Sequence, residues 1–116
     1  MKKFLQEESS QKGLLKDIAT LDDIIHTPAR LAVMMFLIPK EKATFTEIQA
    51  ALDLTAGNLS SHVKKLEANE FIEVQKAFVK AKPTTIIYIT EKGLKAIQQY
   101  ATLVTDSLGK MLERMK

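Results

Sequence analysis

Two helix-forming stretches lie end to end between Thr46 and Asn69 with only three or four residues to separate them, and this spacing limits how the chain can fold. Thr46-Glu47-Ile48-Gln49 has the capping-box form, a threonine followed three residues later by a glutamine, and predicts a short helix to about Leu52. Asp53-Leu54 makes a tight turn. Thr55 then caps a longer helix running through Ala68 to Asn69, a residue that tolerates the left-handed conformation at a helix C-terminus. Two helices joined so closely form a helix-turn-helix.

The flanking segments add strands and more helix. Thr27-Pro28 reads as a cap followed by proline at the first helical position, opening the apolar run Leu31 to Ile38, which Pro39 stops. A run apolar on nearly every side is expected to be buried on nearly every side. Ala43-Thr44-Phe45 is extended and able to pair. Phe71 to Gln75 and Thr84 to Ile89 are β-rich runs around the basic segment Lys76 to Pro83, which predicts a hairpin with a charged tip.

Both ends of the chain are helical in pattern. Leu14, Ile18 and Leu21 recur at i, i+4 and i+7 in a leading helix to about Thr20. Thr90 caps a last helix in which Leu94, Ile97, Ala101, Val104, Leu108, Met111 and Met115 form a heptad seam. Some 25 residues of helix span roughly 38 Å at ~1.5 Å each, longer than a domain this small covers. Part of the seam therefore needs a partner, and we expect a homodimer through Leu14, Ile18, Ala101, Val104, Leu108, Met111 and Met115.

The 116 residues, 46% of them hydrophobic, suffice for one core. The expected division is a single domain, 1–116, with an N-terminal helix at 1–22, a core at 24–90 and a dimerisation helix at 91–116. Cysteine is absent, which excludes disulfides, zinc–cysteine sites and thiol redox sensing. The start, Met1 to Glu8, lacks the apolar stretch of a signal peptide, and no run reaches membrane-spanning length, so a soluble, cytoplasmic protein with no membrane partner is expected. The net charge of +3 is modest but unevenly placed. Residues 1–53 carry seven Lys/Arg against eight Asp/Glu, and residues 54–116 carry ten against six. The basic half is where a polyanion belongs.

On the helix after Thr55, Leu59, His62, Val63 and Leu66 fall on one side; Gly57, Ser61, Lys64 and Ala68 fall on the other, flanked by Asn58, Ser60 and Lys65. The outer side holds small residues, hydrogen-bonding residues and cations, with no carboxylate before Glu67. That composition suits close approach to a major groove and its phosphates. Thr55, Gly57, Asn58, Ser60, Ser61, Lys64 and Lys65 are the candidate DNA-binding residues of the helix, and Lys76, Lys80 and Lys82 those of the hairpin.

No catalytic or metal site is expected. His26 and His62 are isolated, with no further ligands spaced to hold a metal. Ser60-Ser61 beside His62 is not a triad, because adjacent helix residues point about 100° apart and no acidic residue is spaced to orient the imidazole. The glycines form no phosphate loop. No cofactor is implied. An effector pocket at a dimer interface has no local sequence signature, and no effector is assigned.

The order helix, short strand, helix-turn-helix and two-stranded wing resembles the winged-helix regulators of the MarR and ArsR superfamilies over roughly Ile24 to Thr105. The resemblance rests on Thr27-Pro28-Ala29-Arg30-Leu31, Phe45-Thr46-Glu47-Ile48, Leu54 to Glu67 (LTAGNLSSHVKKLE) and Tyr88-Ile89-Thr90-Glu91-Lys92-Gly93. It implies an α+β fold, mainly α: a winged helix-turn-helix with a two-stranded wing and long terminal helices for dimerisation. It further implies a dimeric transcriptional regulator on a pseudo-palindromic double-stranded operator, not an enzyme, with helix 56–68 in the major groove and wing 76–83 along the backbone or minor groove. Where many relatives place glycine and arginine in the wing, this chain has Lys80-Ala81-Lys82-Pro83, which favours phosphate neutralisation. The alternative function is a winged-helix protein-interaction module in a larger assembly; steep salt dependence of duplex binding separates the two.

Overall fold

The computed structural model describes residues 13–116, which open in helix α1 (13–19). There follow α2 (Pro28–Leu37), β1 (Lys42–Thr44), α3 (Phe45–Leu52), α4 (Ala56–Ala68), β2 (Ile72–Val79), β3 (Lys82–Ile89) and α5 (Glu91–Arg114). They make an α+β winged helix, mostly helical, with one antiparallel sheet of order β1-β3-β2. The chain divides into two compact units, one of Asp23–Ile97 and one of the residues up to Asp22 with Gln98–Lys116; α5 runs from the first into the second.

The core of the Asp23–Ile97 unit is made by Ile25, Val33, Met34, Leu37, Ile48, Leu59, Leu66, Ile72 and Ile87, all essentially inaccessible. Burying each such side chain contributes about 1.5–3 kcal/mol. Helix α2 starts at Pro28 as its sequence predicts, but it buries one face only: Val33, Met34 and Leu37 are inside, whereas Met35 is 60% exposed and Ile38 is exposed too. A run of apolar residues around a whole helix predicts full burial only if neighbours surround it, and within this unit they cover one side.

One helix end differs from the sequence expectation in position and two in how they are capped, each for a local reason. Helix α3 is capped by Thr44 and not by Thr46: the Thr44 hydroxyl accepts from the Glu47 amide at 3.1 Å, which starts the helix at Phe45 and confines β1 to Lys42–Thr44. Thr27 occupies the cap position of α2 with extended backbone, yet its hydroxyl donates to the Asp23 carbonyl and accepts from Arg30. Asn69 ends α4 at φ −92° and ψ 6°, its side chain donating to the Lys65 carbonyl; the left-handed residue is Glu70, at φ 62°. Asp53 closes α3 in the left-handed region, at φ 53° and ψ 48°.

The wing is strand for most of its length. Eight residues of β2 pair with eight of β3, from Ile72↔Ile89 to Val79↔Lys82, so segment 76–83 is ladder apart from Lys80 and Ala81. Those two have φ 52° and 64°, the positive values required at both central residues of a two-residue type I′ hairpin turn. Neither is glycine or asparagine, so the sequence lacks the usual signal for so short a turn. At the base of the sheet β1 pairs β3, with Ala43 opposite Ile87.

The start of α5 is locked to the end of α4. The Thr90 hydroxyl accepts from the Gly93 amide at 2.9 Å, capping α5 as predicted, and donates to the Glu70 carbonyl at 2.7 Å. Gly93 is buried against the backbone of Phe71, where a Cβ would overlap the carbonyl oxygen.

In the other unit, Leu14 and Ile18 of α1 and Val104 of α5 are half-buried. Ala101, Leu108, Met111 and Met115 are exposed, as are Leu15 and Leu112, which lie outside the predicted seam. The seam also divides at its start, with Leu94 exposed and Ile97 buried in the core.

Candidate nucleic-acid interface

Helix α4 is held from behind and open in front. Leu59, Val63 and Leu66 are buried, and they fix the helix in place by its rear face. Three residues, Asp53 to Thr55, link it to α3, and the Thr55 hydroxyl accepts from the Asn58 amide at 3.1 Å. On the front, Thr55, Gly57, Asn58, Ser61, Lys64 and Lys65 are exposed and Ser60 is half-exposed. No Cβ contact would arise at Gly57 within 4 Å, so this position offers open space beside the helix. The arrangement presents amide, hydroxyl and ammonium donors on one rigid element, the chemistry that base edges and phosphates accept.

Behind this surface lies a polar tether that the sequence reading missed. Arg30, in the first turn of α2, is only 7% exposed. Its Nε donates to the Ile24 carbonyl at 2.6 Å, and one Nη to the Asp23 carbonyl at 3.0 Å and to the Thr27 hydroxyl at 2.7 Å. The other Nη reaches Nδ1 of His62 on α4 at 3.4 Å. A guanidinium can only donate, so Nδ1 accepts and the imidazole is neutral with its proton on Nε2. Burial, then the charges of Arg30 and Lys65, hold the His62 pKa below its ordinary value. The available signal was one arginine inside an otherwise apolar helix, whose burial demands hydrogen-bond partners.

Lys76, Lys80 and Lys82 are exposed on the wing. Strand alternation puts Lys76 and Lys82 on opposite faces of the hairpin and Lys80 in its turn, so the cations encircle the tip. Carboxylates gather elsewhere: Glu67, Glu70, Glu73 and Glu91 line a shallow cleft formed by the end of α4, the base of β2 and the start of α5. Among the described residues, no cluster of three or more His, Asp or Glu side chains could hold a metal, and no helix is long and apolar enough to cross a membrane.

Comparison with known proteins gives this surface its context. The family model described as a winged helix DNA-binding domain matches residues 29–108. An uncharacterized protein of Methanocaldococcus jannaschii is 38% identical over 77 residues, 66% of this chain and 84% of that protein. The solved structure of a transcriptional regulator homologue from Pyrococcus horikoshii is 34% identical with a TM-score of 0.79, covering 85% of this chain and 97% of that one. The crystal structure of MarR shares the fold, with a TM-score of 0.71 at 15% identity, over 98% of this chain and 82% of its own. With two-thirds of its length matched by the family model, the chain belongs to the family of winged helix DNA-binding domains.

Proposed function

We propose that this protein is a transcriptional regulator that binds double-stranded DNA as a homodimer, with α4 in the major groove and the wing along the backbone or the adjacent minor groove. One observation carries the reading: the front of α4 is exposed, polar and cationic without a carboxylate before Glu67, while its rear is buried. Lys64 and Lys65 are assigned to phosphates, as are Lys76, Lys80 and Lys82 on the wing. Asn58, Ser60 and Ser61, near the helix N-terminus, are assigned to base edges, with Thr55 and Gly57 allowing the backbone to approach. The exposed Leu108, Met111 and Met115, with Ala101, supply apolar surface for a second copy, joined by Leu14, Ile18 and Val104. A two-fold dimer addresses half-sites about one DNA turn, roughly 34–36 Å, apart.

Selection of bound fragments from random duplex DNA tests this reading. The expected result is an enriched inverted repeat for the full-length protein, and a changed half-site preference when Asn58, Ser60 or Ser61 is replaced by alanine, since a good bidentate contact discriminates by about 1–3 kcal/mol. An unenriched pool contradicts sequence-specific binding. A preference untouched by all three replacements contradicts the assignment of base reading.

A further inference from the structure

The wing ends in an apolar side chain that the fold does not use. Phe78 is 78% exposed, the most exposed large hydrophobic side chain among those described. It sits two residues before the turn and directly opposite Pro83, also exposed. By alternation Phe78 and Pro83 share the sheet face of Ile72, Val74 and Ile87; that face is core at the base of the hairpin and emerges into solvent at its tip. A single exposed leucine or isoleucine on a surface is ordinary. An exposed aromatic ring at the end of a two-stranded ladder, held by a turn of Lys80 and Ala81 at positive φ, is a projecting wedge of fixed direction.

Its surroundings say what the wedge meets. From Val74 to Thr90 the chain has no carboxylate; Lys76 shares the face of the ring, Lys80 lies in the adjacent turn and Lys82 on the opposite face. Cations around an aromatic side chain match a polyanion with apolar faces between its charges, and duplex DNA offers that pattern: phosphates for the ammonium groups, sugars and base planes for the ring. A second copy of this basic tip would instead bring like charges together. We propose that Phe78 is an apolar wedge that inserts between base steps while the wing lysines hold the flanking phosphates. The proposal rests on the DNA-binding reading above and adds a contact that no lysine makes, one sensitive to how easily a base step unstacks.

The test uses the full-length protein and one duplex from the selection. Phe78→Ala is expected to weaken binding by about ten-fold, the scale of losing one aromatic–base stack, with an unchanged salt slope because no charge is removed. The chain has no tryptophan, so Phe78→Trp and Val79→Trp each place a single fluorophore, on opposite faces of the hairpin. Saturating duplex is expected to quench the emission at position 78 strongly and at position 79 weakly. Wild-type affinity in Phe78→Ala overturns the wedge, as does equal quenching at both positions or none at 78. A Phe78→Ala protein with lowered self-association and intact DNA affinity overturns it in favour of a second copy. Failure of the wild-type protein to bind any duplex overturns the DNA reading itself, and is distinguishable from all of these.

Discussion

Arg30 on α2 donates from Nη to Nδ1 of His62 on α4 at 3.4 Å, tying α4 to the carbonyls of Asp23 and Ile24 that the same guanidinium holds. The bond requires neutral imidazole, and the depressed His62 pKa agrees with it, burial being the largest cause and Arg30 the next. The position of α4 and the protonation of one histidine are therefore coupled.

Stability should respond to pH through this residue in a defined direction. On unfolding, the His62 pKa rises to its ordinary value of about 6.5, so in the interval below that value the unfolded chain binds the extra proton. The contribution of His62 is thus complete above about pH 6.5 and is lost as pH falls through the folded-state pKa. His62→Gln keeps an oxygen for Arg30 and removes the titration. Urea midpoints measured at about pH 7.5 and about pH 5 should fall further in the wild type than in His62→Gln; equal falls would count against the coupling.

Gly93 should resist substitution. Its absent Cβ lets the first turn of α5 lie against the Phe71 carbonyl, and backbone cannot yield as a flexible side chain does. Gly93→Ala should cost about 1–3 kcal/mol, the usual range for overpacking, seen as a lower denaturation midpoint with an unchanged m-value. The same replacement at Gly57, where space is open, should leave stability nearly unchanged.

The distal part of α5 should be separable from folding of the core. Ile97 is buried with the Asp23–Ile97 unit, whereas Leu108, Met111, Leu112 and Met115 are exposed. Truncation after Tyr100 should leave a folded chain that sediments as a monomer and binds the selected duplex far more weakly, because the two half-sites no longer share one linked binder. A full-length protein that is monomeric at micromolar concentration, or a truncated one that binds equally well, would contradict dimerisation through the terminal segments.

Local patterns made the helix-turn-helix legible: the Thr55 cap, the short gap after Leu52 and the spacing of Leu59, Val63 and Leu66 are all sequence-near, and each appears in the structure. What escaped depended on competition or distance. Thr44 and Thr46 are both plausible caps, and the strand ending at Thr44 decides between them. The turn at Lys80 and Ala81 is imposed by the pairing of two long strands on residues that do not favour positive φ. The surface of α4 could be drawn on a helical wheel; its tether to Arg30, 32 residues away, could not.

Whether the front of α4 meets duplex DNA is measured most directly by the salt dependence of binding. Fluorescence anisotropy of a labelled duplex, titrated with full-length protein over a range of salt concentrations, should give a steep linear decline of log Kobs with log salt. Lys64→Ala and Lys65→Ala should each weaken binding to selected and random duplexes alike and reduce the slope by about one. Salt slopes and affinities unchanged in both variants would contradict the placement of α4 on DNA.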